Sequence, residues 1–252
     1  MKKLFLVMAL ALAVVATGFA QKANVSKAKN KALAVENPDF QGAKDDIEAA
    51  LVNDETKDLA NTWFVAATIY EAAAKAESDL ILAGEDALKA YEYYLKANEL
   101  DQLPDAKGKV KPKFTKKIAT GISNIYRHYL LVNYGVEKQK TQEWANAYNA
   151  LNTHVLIPDL SFMSVNDIPL INKDTAYYEI KYFAAQFAWA NEESEKAISI
   201  LEEIKDKDYN SVELCGLVSN ICVLSNAVMV KSALPNAKIF IDKSATDSFD
   251  KE

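Results

Sequence analysis

The chain has 252 residues, of which 50% are apolar and 25% charged, and its formal net charge is −6. This length suffices for one large buried core or for one run of structural repeats. Because nucleic-acid-binding proteins usually carry a basic surface, the acidic balance argues against that class, and we expect no nucleic-acid partner.

Residues 1–20 have the pattern of an export signal. Lys2-Lys3 supply the positive start, Leu4–Val15 the apolar segment, and Gly18–Ala20 the small residues that a signal peptidase recognises. We predict cleavage after Ala20, and loss of the two lysines takes the net charge to −8. Residue 21 is Gln, not the Cys that lipid attachment would need.

The alternative to a cleaved signal is a membrane anchor. The apolar run is shorter than the ~20 residues that cross a bilayer. We therefore expect a mature chain with no transmembrane segment, located in the periplasm or outside the cell.

Most of the remaining chain has a helical composition. Long runs rich in Ala, Glu, Lys and Leu lie between prolines, and glycine occurs only seven times, which predicts an all-α fold. We predict helices over residues 23–36, 41–53, 57–76, 85–100, 115–136, 141–153, 173–190 and 193–206. Short links, such as Asn191–Glu193, predict antiparallel helix hairpins.

One motif recurs four times, with alanine followed by a second residue four positions later and a third residue three after that. The four sets are Ala43/Ile47/Ala50, Ala90/Tyr94/Ala97, Ala147/Leu151/His154 and Ala197/Leu201/Ile204. Residues with these spacings share one helix face, and alanine lets a neighbouring helix approach closely. The recurrence indicates stacked helix pairs.

A second motif belongs to the helix that precedes each set. The residues are Trp63/Ala66/Ala67/Tyr70, Arg127/Leu130/Leu131/Tyr134 and Lys181/Ala184/Ala185/Ala188. Together the two motifs resemble the tetratricopeptide repeat over residues 24–208. The resemblance implies about four antiparallel helix hairpins stacked into a right-handed superhelix, an α-solenoid. The leading alanines are spaced 47, 57 and 50 residues apart, whereas the family repeat is about 34 residues. The excess falls near 101–117 and 154–173, and the alternative is an unrelated helical bundle with a closed core.

We divide the chain into a signal (1–20), a repeat domain (21–208) and an atypical C-terminal segment (209–252). Leu214–Val230 contains no charged residue and predicts one apolar helix, followed by a disordered tail. That helix would cover the end of the array or be another buried helix, and a truncation or frameshift after about residue 210 is a further alternative. Cys215 and Cys222 would lie ~10.5 Å apart along one straight helix, too far for a disulfide, so either they stay reduced or the segment is not one straight helix.

The resemblance also implies a binding groove lined by exposed positions of the first helices. The candidates are Asn61, Phe64, Thr68 and Glu71, then Ile125, His128 and Val132, then Glu179, Tyr182, Gln186 and Trp189. Aromatic anchors beside amides suit an extended peptide or a helix of another protein. The alternative is that Phe64 and Trp189 pack against adjacent helices of the chain.

A basic loop lies at residues 107–117, where six of eleven residues are lysine: Lys107, Lys109, Lys111, Lys113, Lys116 and Lys117. Such a loop would attract an anionic partner. The alternative is a solvated connector that begins the next helix.

The chain contains no sequence signature of an enzyme. A Gly-rich phosphate loop, a Gly-x-Ser-x-Gly elbow and a His-Glu-x-x-His motif are absent, and His128 and His154 have no companion at ligand spacing. We therefore predict no catalytic residue, no metal site and no cofactor.

The sequence thus predicts an exported, non-enzymatic scaffold that binds a peptide segment or a partner protein in the cell envelope. The alternative is a small-molecule or glycan-binding helical-repeat protein, with Trp144, Tyr182 and Trp189 stacking on a sugar ring. A purely structural role in a larger assembly is a third hypothesis.

Overall fold

The computed structural model describes residues 23–163, 173, 175–205, 211–217, 223–233 and 237–247. The predicted export signal lies outside these ranges, so its cleavage stays a prediction. The described residues are predominantly helical, which confirms the predicted all-α class. The chain divides into two compact units at Ala197/Ile198.

The first unit holds most of the helices. Residues 23–32 form α1, and the helices that follow are α2 (Phe40–Leu51), α3 (Ala60–Ala76), α4 (Leu80–Asp101), α5 (Thr115–Arg127), α6 (Leu130–Lys140), α7 (Trp144–Leu156) and α8 (Thr175–Ala190). A 3-10 turn (Ile157–Asp159) follows α7, and α9 (Ser194–Lys205) begins just before the unit boundary. Helix α4 begins earlier than predicted because the Asp79 carboxylate caps it, accepting hydrogen bonds from the N–H groups of Ile81 (2.8 Å) and Leu82 (3.1 Å).

Most contacts in this unit join helices that are close in sequence. Helix α3 packs against α2 and α4, helix α6 packs against α4 and α7, and α7 packs against α8. Three of the four alanine sets are fully buried along these contacts, as predicted: Ala43/Ile47/Ala50, Ala90/Tyr94/Ala97 and Ala147/Leu151/His154. In the fourth set Ala197 and Ile204 are buried, but Leu201 is exposed and its predicted packing role is wrong.

Gly84 shows how closely α4 and α6 approach each other. A Cβ atom added at Gly84 would lie 2.2 Å from Cβ of Tyr134 on α6, so any larger residue would force the two helices apart. The small residue is therefore required by the packing of the two helix backbones.

The helix predicted over 115–136 is wrong, because the structure has two helices there. Helix α5 ends at Arg127, α6 begins at Leu130, and Tyr129 between them has a left-handed backbone with φ of 52°. The left-handed region is unfavourable for a residue with a side chain, at a cost of roughly 1–3 kcal/mol. The Tyr129 ring stacks on His154 of α7, 5.6 Å between centroids, so tertiary packing overrides the local helical tendency at this point.

Helix α5 is the main departure from a regular series of helix pairs. It follows the extra residues near 101–117 and packs against α3, α4, α6 and the 3-10 turn. Its apolar face consists of Ile118, Ile122 and Ile125, all buried. Ile125 was predicted to line the groove, and that prediction is wrong because α5 turns this side chain into the core.

The second unit contains a two-stranded parallel sheet. Strand β1 (Ser211–Leu217) pairs with β2 (Lys238–Asp247), and α10 (Leu224–Ala233) lies between them in sequence. Parallel strands need such a crossover connection. The register pairs Leu214 with Ile241 and shifts between Leu214 and Gly216.

This arrangement differs from the single helix and disordered tail expected after residue 209. The run Ile239–Ile241 pairs with Val212–Leu214 as a strand, and a short apolar run does not by itself distinguish a strand from a buried helix. Cys215 lies in β1 and not on a helix, so the helical distance argument against a disulfide does not apply; Cys222 lies outside the described residues.

Candidate binding face

Helix α8 carries a patch of exposed aromatic side chains. Tyr182, Phe183 and Trp189 are 45%, 47% and 63% exposed, and Gln186 between them is also exposed. The rings of Tyr182 and Phe183 lie 6.0 Å apart. We call these four residues the α8 face. Large exposed aromatic side chains clustered on one helix are typical of an interaction surface.

Helix α3 has the same register as α8, 118 residues earlier in the chain. The inward positions are buried in both helices: Thr62 and Ile180, Ala66 and Ala184, Ala67 and Ala185, Ile69 and Phe187, Tyr70 and Ala188. The two helices therefore bury equivalent positions, so each exposed position of α8 can be compared with the position 118 residues earlier in α3.

The positions of α3 that correspond to the α8 face are Phe64, Val65, Thr68 and Glu71, here called the α3 face. Val65 and Glu71 are only 4% and 6% exposed, and Phe64 and Thr68 are half-buried. The ring of Phe64 stacks on Phe114, 5.0 Å between centroids, just before the first residue of α5. The α3 face is thus covered in part by the chain's own α5 segment, whereas the α8 face is exposed within the part of the chain that the structure describes.

Glu71 fixes this cover by hydrogen bonds. Its carboxylate accepts from Nδ2 of Asn124 on α5 (2.8 Å), from the hydroxyl of Tyr94 on α4 (2.6 Å) and from Nζ of Lys75 (2.8 Å). Burial, followed by the Glu71 charge, raises the pKa of Tyr94, so its hydroxyl remains a hydrogen-bond donor. The carboxylate is therefore committed to packing α3, α4 and α5 together.

The other predicted groove residues are distributed unevenly. Asn61 and His128 are exposed, and Val132 is half-buried. The Thr68 hydroxyl donates to the carbonyl of Phe64, 2.9 Å away. Because α5 and α6 are separate helices, Ile125 and Val132 do not share one helix face, and the structure does not bring His128 into a row with them.

The basic loop leads into α5 and is held at both ends by carboxylates. Asp101 at the end of α4 accepts from the backbone N–H groups of Lys113 (2.8 Å), Phe114 (2.7 Å) and Thr115 (3.1 Å). Asp105 accepts from the backbone N–H groups of Lys107 and Lys109, which lower the pKa of its carboxyl. All six lysines are exposed. This geometry fits the connector alternative, and the binding of an anionic partner stays a prediction.

A polar cluster joins α2, α3 and α4 elsewhere in the first unit. The hydroxyls of Tyr70 and Tyr93 each donate to Oε1 of Glu48 over 2.7 Å, and Lys44 pairs with Asp86 at 2.6 Å. Burial and the Glu48 carboxylate raise the pKa of both tyrosines. The cluster therefore acts as a hydrogen-bonded link between three helices.

Of the two histidines, His154 is the buried one. The sequence predicted no function for it beyond its place in the alanine motif. It is fully buried, and neither ring nitrogen has a hydrogen-bond partner within the described part of the chain. Its ring stacks on Tyr126, 4.2 Å between centroids. Burial lowers the pKa of His154 to about 4, so the ring is neutral near pH 7.

Trp144 does not join the exposed aromatic residues of α8. It is half-buried and packs against Phe187, 6.0 Å between ring centroids, and Phe187 is a core residue. A sugar site built from Trp144, Tyr182 and Trp189 together is therefore not favoured by the structure.

Among residues 23–163, 173, 175–205, 211–217, 223–233 and 237–247, no group of three or more His, Cys, Asp or Glu side chains is arranged to hold a metal ion. In the same part of the chain, no helix has both the length and the apolar character that crossing a bilayer requires.

Comparison with protein-family models, with curated proteins and with solved structures gave no match.

Proposed function

We propose that the chain is an exported, non-enzymatic interaction scaffold that binds a segment of a partner protein in the cell envelope through the α8 face. The α8 face carries the proposal, because Tyr182 and Trp189 are exposed at positions whose equivalents in α3 are covered. Burial of such aromatic anchors supplies a large share of the binding free energy in protein interfaces.

The proposed architecture is a series of tetratricopeptide-like hairpins stacked as a right-handed α-solenoid. Packing of α2 on α3, α4 on α6 and α7 on α8 supports it, since contacts in such arrays join neighbours in sequence. Buried alanine at matching positions of α3 and α8 supports it as well. Helix α5 is then an insertion between the second and third hairpins.

Export to the periplasm or the medium rests on the N-terminal pattern. We propose that the mature chain begins at Gln21. N-terminal sequencing of the protein expressed with its own signal tests this: a start at Met1 in the cytoplasmic fraction would contradict export.

A site-specific photo-crosslinker at Gln186 tests the binding face. Gln186 is exposed between the aromatic residues, and Glu92 on α4, also exposed, provides the matched control position. In envelope extract we expect one partner segment to crosslink from position 186 and not from position 92, and Trp189→Ala to abolish the product. Trp189→Ala is compared with Leu103→Ala, which removes a side chain of similar exposure.

Equal labelling from the two positions, or a product at position 186 that survives Trp189→Ala, would contradict the proposal.

A thermal-shift screen with oligosaccharides tests the alternative, a glycan-binding protein, because a ligand present at 100 times its dissociation constant adds ~2.7 kcal/mol to the free energy of unfolding.

A further inference from the structure

Helix α5 of the chain itself packs on the α3 face, and the inference drawn from its chemistry rests on the proposed function. On the α3 face, the occupant is α5, an amphipathic helix that contacts α3 and α4. Its contacts combine one aromatic stack before the helix, Phe114 on Phe64, with one polar bond from its last turns, Asn124 to Glu71.

The charge of that occupant is strongly biased. Thr115–Arg127 contains Lys116, Lys117 and Arg127 and no acidic residue. All three cationic side chains are exposed while the isoleucine face is buried. The α5 segment is thus a cationic amphipathic helix with an aromatic residue directly before its first turn.

The α8 face has matching chemistry. Tyr182 replaces Phe64 as the ring for an aromatic stack, Gln186 replaces Thr68, and Trp189 replaces Glu71 as a large apolar contact. Exposed carboxylates lie toward both ends of the face, Glu179 within α8 and Glu192 just beyond it. Of the basic residues nearby, Lys173 pairs with Asp159 and Lys196 with Glu193, and the half-buried Lys181 of α8 places Nζ 5.9 Å from the ring centroid of Tyr177. The exposed charges at the two ends of the face, Glu179 and Glu192, are therefore acidic, which favours a cationic occupant.

We propose that the α8 face binds a cationic amphipathic helix of another protein, as the α3 face binds α5. An aromatic residue directly before that helix stacks on Tyr182, as Phe114 stacks on Phe64. Trp189 is the apolar anchor of this site, and Glu179 and Glu192 attract the basic flank of the helix.

A peptide with the sequence of residues 112–128, PKFTKKIATGISNIYRH, is the direct probe. It carries the aromatic residue, the isoleucine face and the cationic flank, and it is labelled with a fluorophore and titrated with the full chain. An isolated helix of this length is marginal in water, so binding will also appear as a gain in helical circular dichroism.

We expect saturable binding that falls at least tenfold in the Trp189→Ala chain and in a peptide carrying Lys116→Glu and Lys117→Glu. Binding will also weaken as the salt concentration rises from about 0.05 to about 0.5 M, because exposed charges are screened. The Leu103→Ala chain, and a peptide with Thr120→Ala on its exposed side, are the matched controls and will bind as the unmodified pair does.

Absence of saturable binding would overturn the inference, as would binding that Trp189→Ala leaves unchanged, which would mean that the peptide displaces α5 from the α3 face. A dimer of the full chain that dissociates on Trp189→Ala would also overturn it, because a second copy would then be the occupant. These failures are distinguishable from failure of the proposed function: a partner crosslinked from Gln186 together with no peptide binding leaves the scaffold in place and rejects only the cationic helix.

Discussion

The rings of Tyr126 and His154 stack nearly parallel, 4.2 Å between centroids and 8° between planes. This contact joins the end of α5 to α7, and the Tyr129 ring stacks on the same histidine. His154 therefore packs against the junction between α5 and α6. Its two ring nitrogens have no hydrogen-bond partner within the described residues. The contact between the end of α5 and α7 therefore involves a buried histidine whose pKa burial lowers to about 4.

Stability will accordingly fall in mild acid. The pKa of His154 is about 4 in the folded chain and about 6.5 when unfolded, so between these values the unfolded state binds more protons. The stabilisation is fully present above about pH 6.5 and is lost as the pH falls to about 4, a loss of about 3 kcal/mol.

Urea unfolding at a series of pH values from about 7 to about 4.5 measures this dependence. His154→Phe keeps a stacking ring and removes the titration, so we expect it to flatten the slope between pH 6.5 and 4.5. His128→Phe, at the exposed histidine, is the control and will leave the slope as it is. An unchanged slope in His154→Phe would show that other groups carry the acid sensitivity.

The alanine positions predict a second result. Ala67 on α3 and Ala185 on α8 are fully buried, so leucine there will overpack the helix contacts and lower the free energy of unfolding by about 1–3 kcal/mol each. Ala76→Leu at the exposed end of α3 will change it by less than about 0.5 kcal/mol. Thermal or urea unfolding gives these values, and harmless leucines at both buried sites would refute close helix packing at those positions.

The alanine positions also show how much of the fold can be predicted from the sequence. The alanine spacing located the buried faces of α2, α4 and α7 because a helix face repeats every three to four residues. The cover over the α3 face was not predictable in the same way: Asn124 and Glu71 are 53 residues apart, and no local pattern joins them. The left-handed Tyr129 arises from a ring contact with His154, and β1 finds its partner in β2 about 27 residues later. Each of these features depends on tertiary contacts.

Gly121 provides a specific way to displace α5. A Cβ atom there would lie 2.2 Å from Cζ of Tyr94, and Tyr94 is held by its hydrogen bond to Glu71. We expect Gly121→Ala to push α5 outward and to raise amide hydrogen exchange across residues 115–127, although alanine favours the helix itself by about 1 kcal/mol. Thr120→Ala, one residue earlier and exposed, is the matched control. Slower exchange in Gly121→Ala would mean that the contact with Tyr94 does not limit the packing of α5.

Asp101 predicts a separate effect on the same helix. Its carboxylate accepts three backbone N–H groups at the start of α5, and loss of such a cap costs about 1–2 kcal/mol. Asp101→Ala will therefore loosen the lysine-rich loop and raise the rate of tryptic cleavage within residues 107–117. Glu99→Ala removes an exposed carboxylate on α4, the helix that ends at Asp101. Trypsin will cleave this variant at the rate of the unmodified chain. Equal cleavage in both variants would argue against the cap.

Hydroxyl-radical footprinting of the free chain, compared with the chain bound to its crosslinked partner, tests most directly that the α8 face is open while the α3 face is covered. Tyr182 on the α8 face and the half-buried Phe64 at the equivalent position of the α3 face are compared, and Trp189 is measured beside them. We predict that Trp189 and Tyr182 oxidise several-fold faster than Phe64 in the free chain and become protected when the partner is bound. Slow oxidation of Trp189 in the free chain, or no protection on binding, would contradict the account.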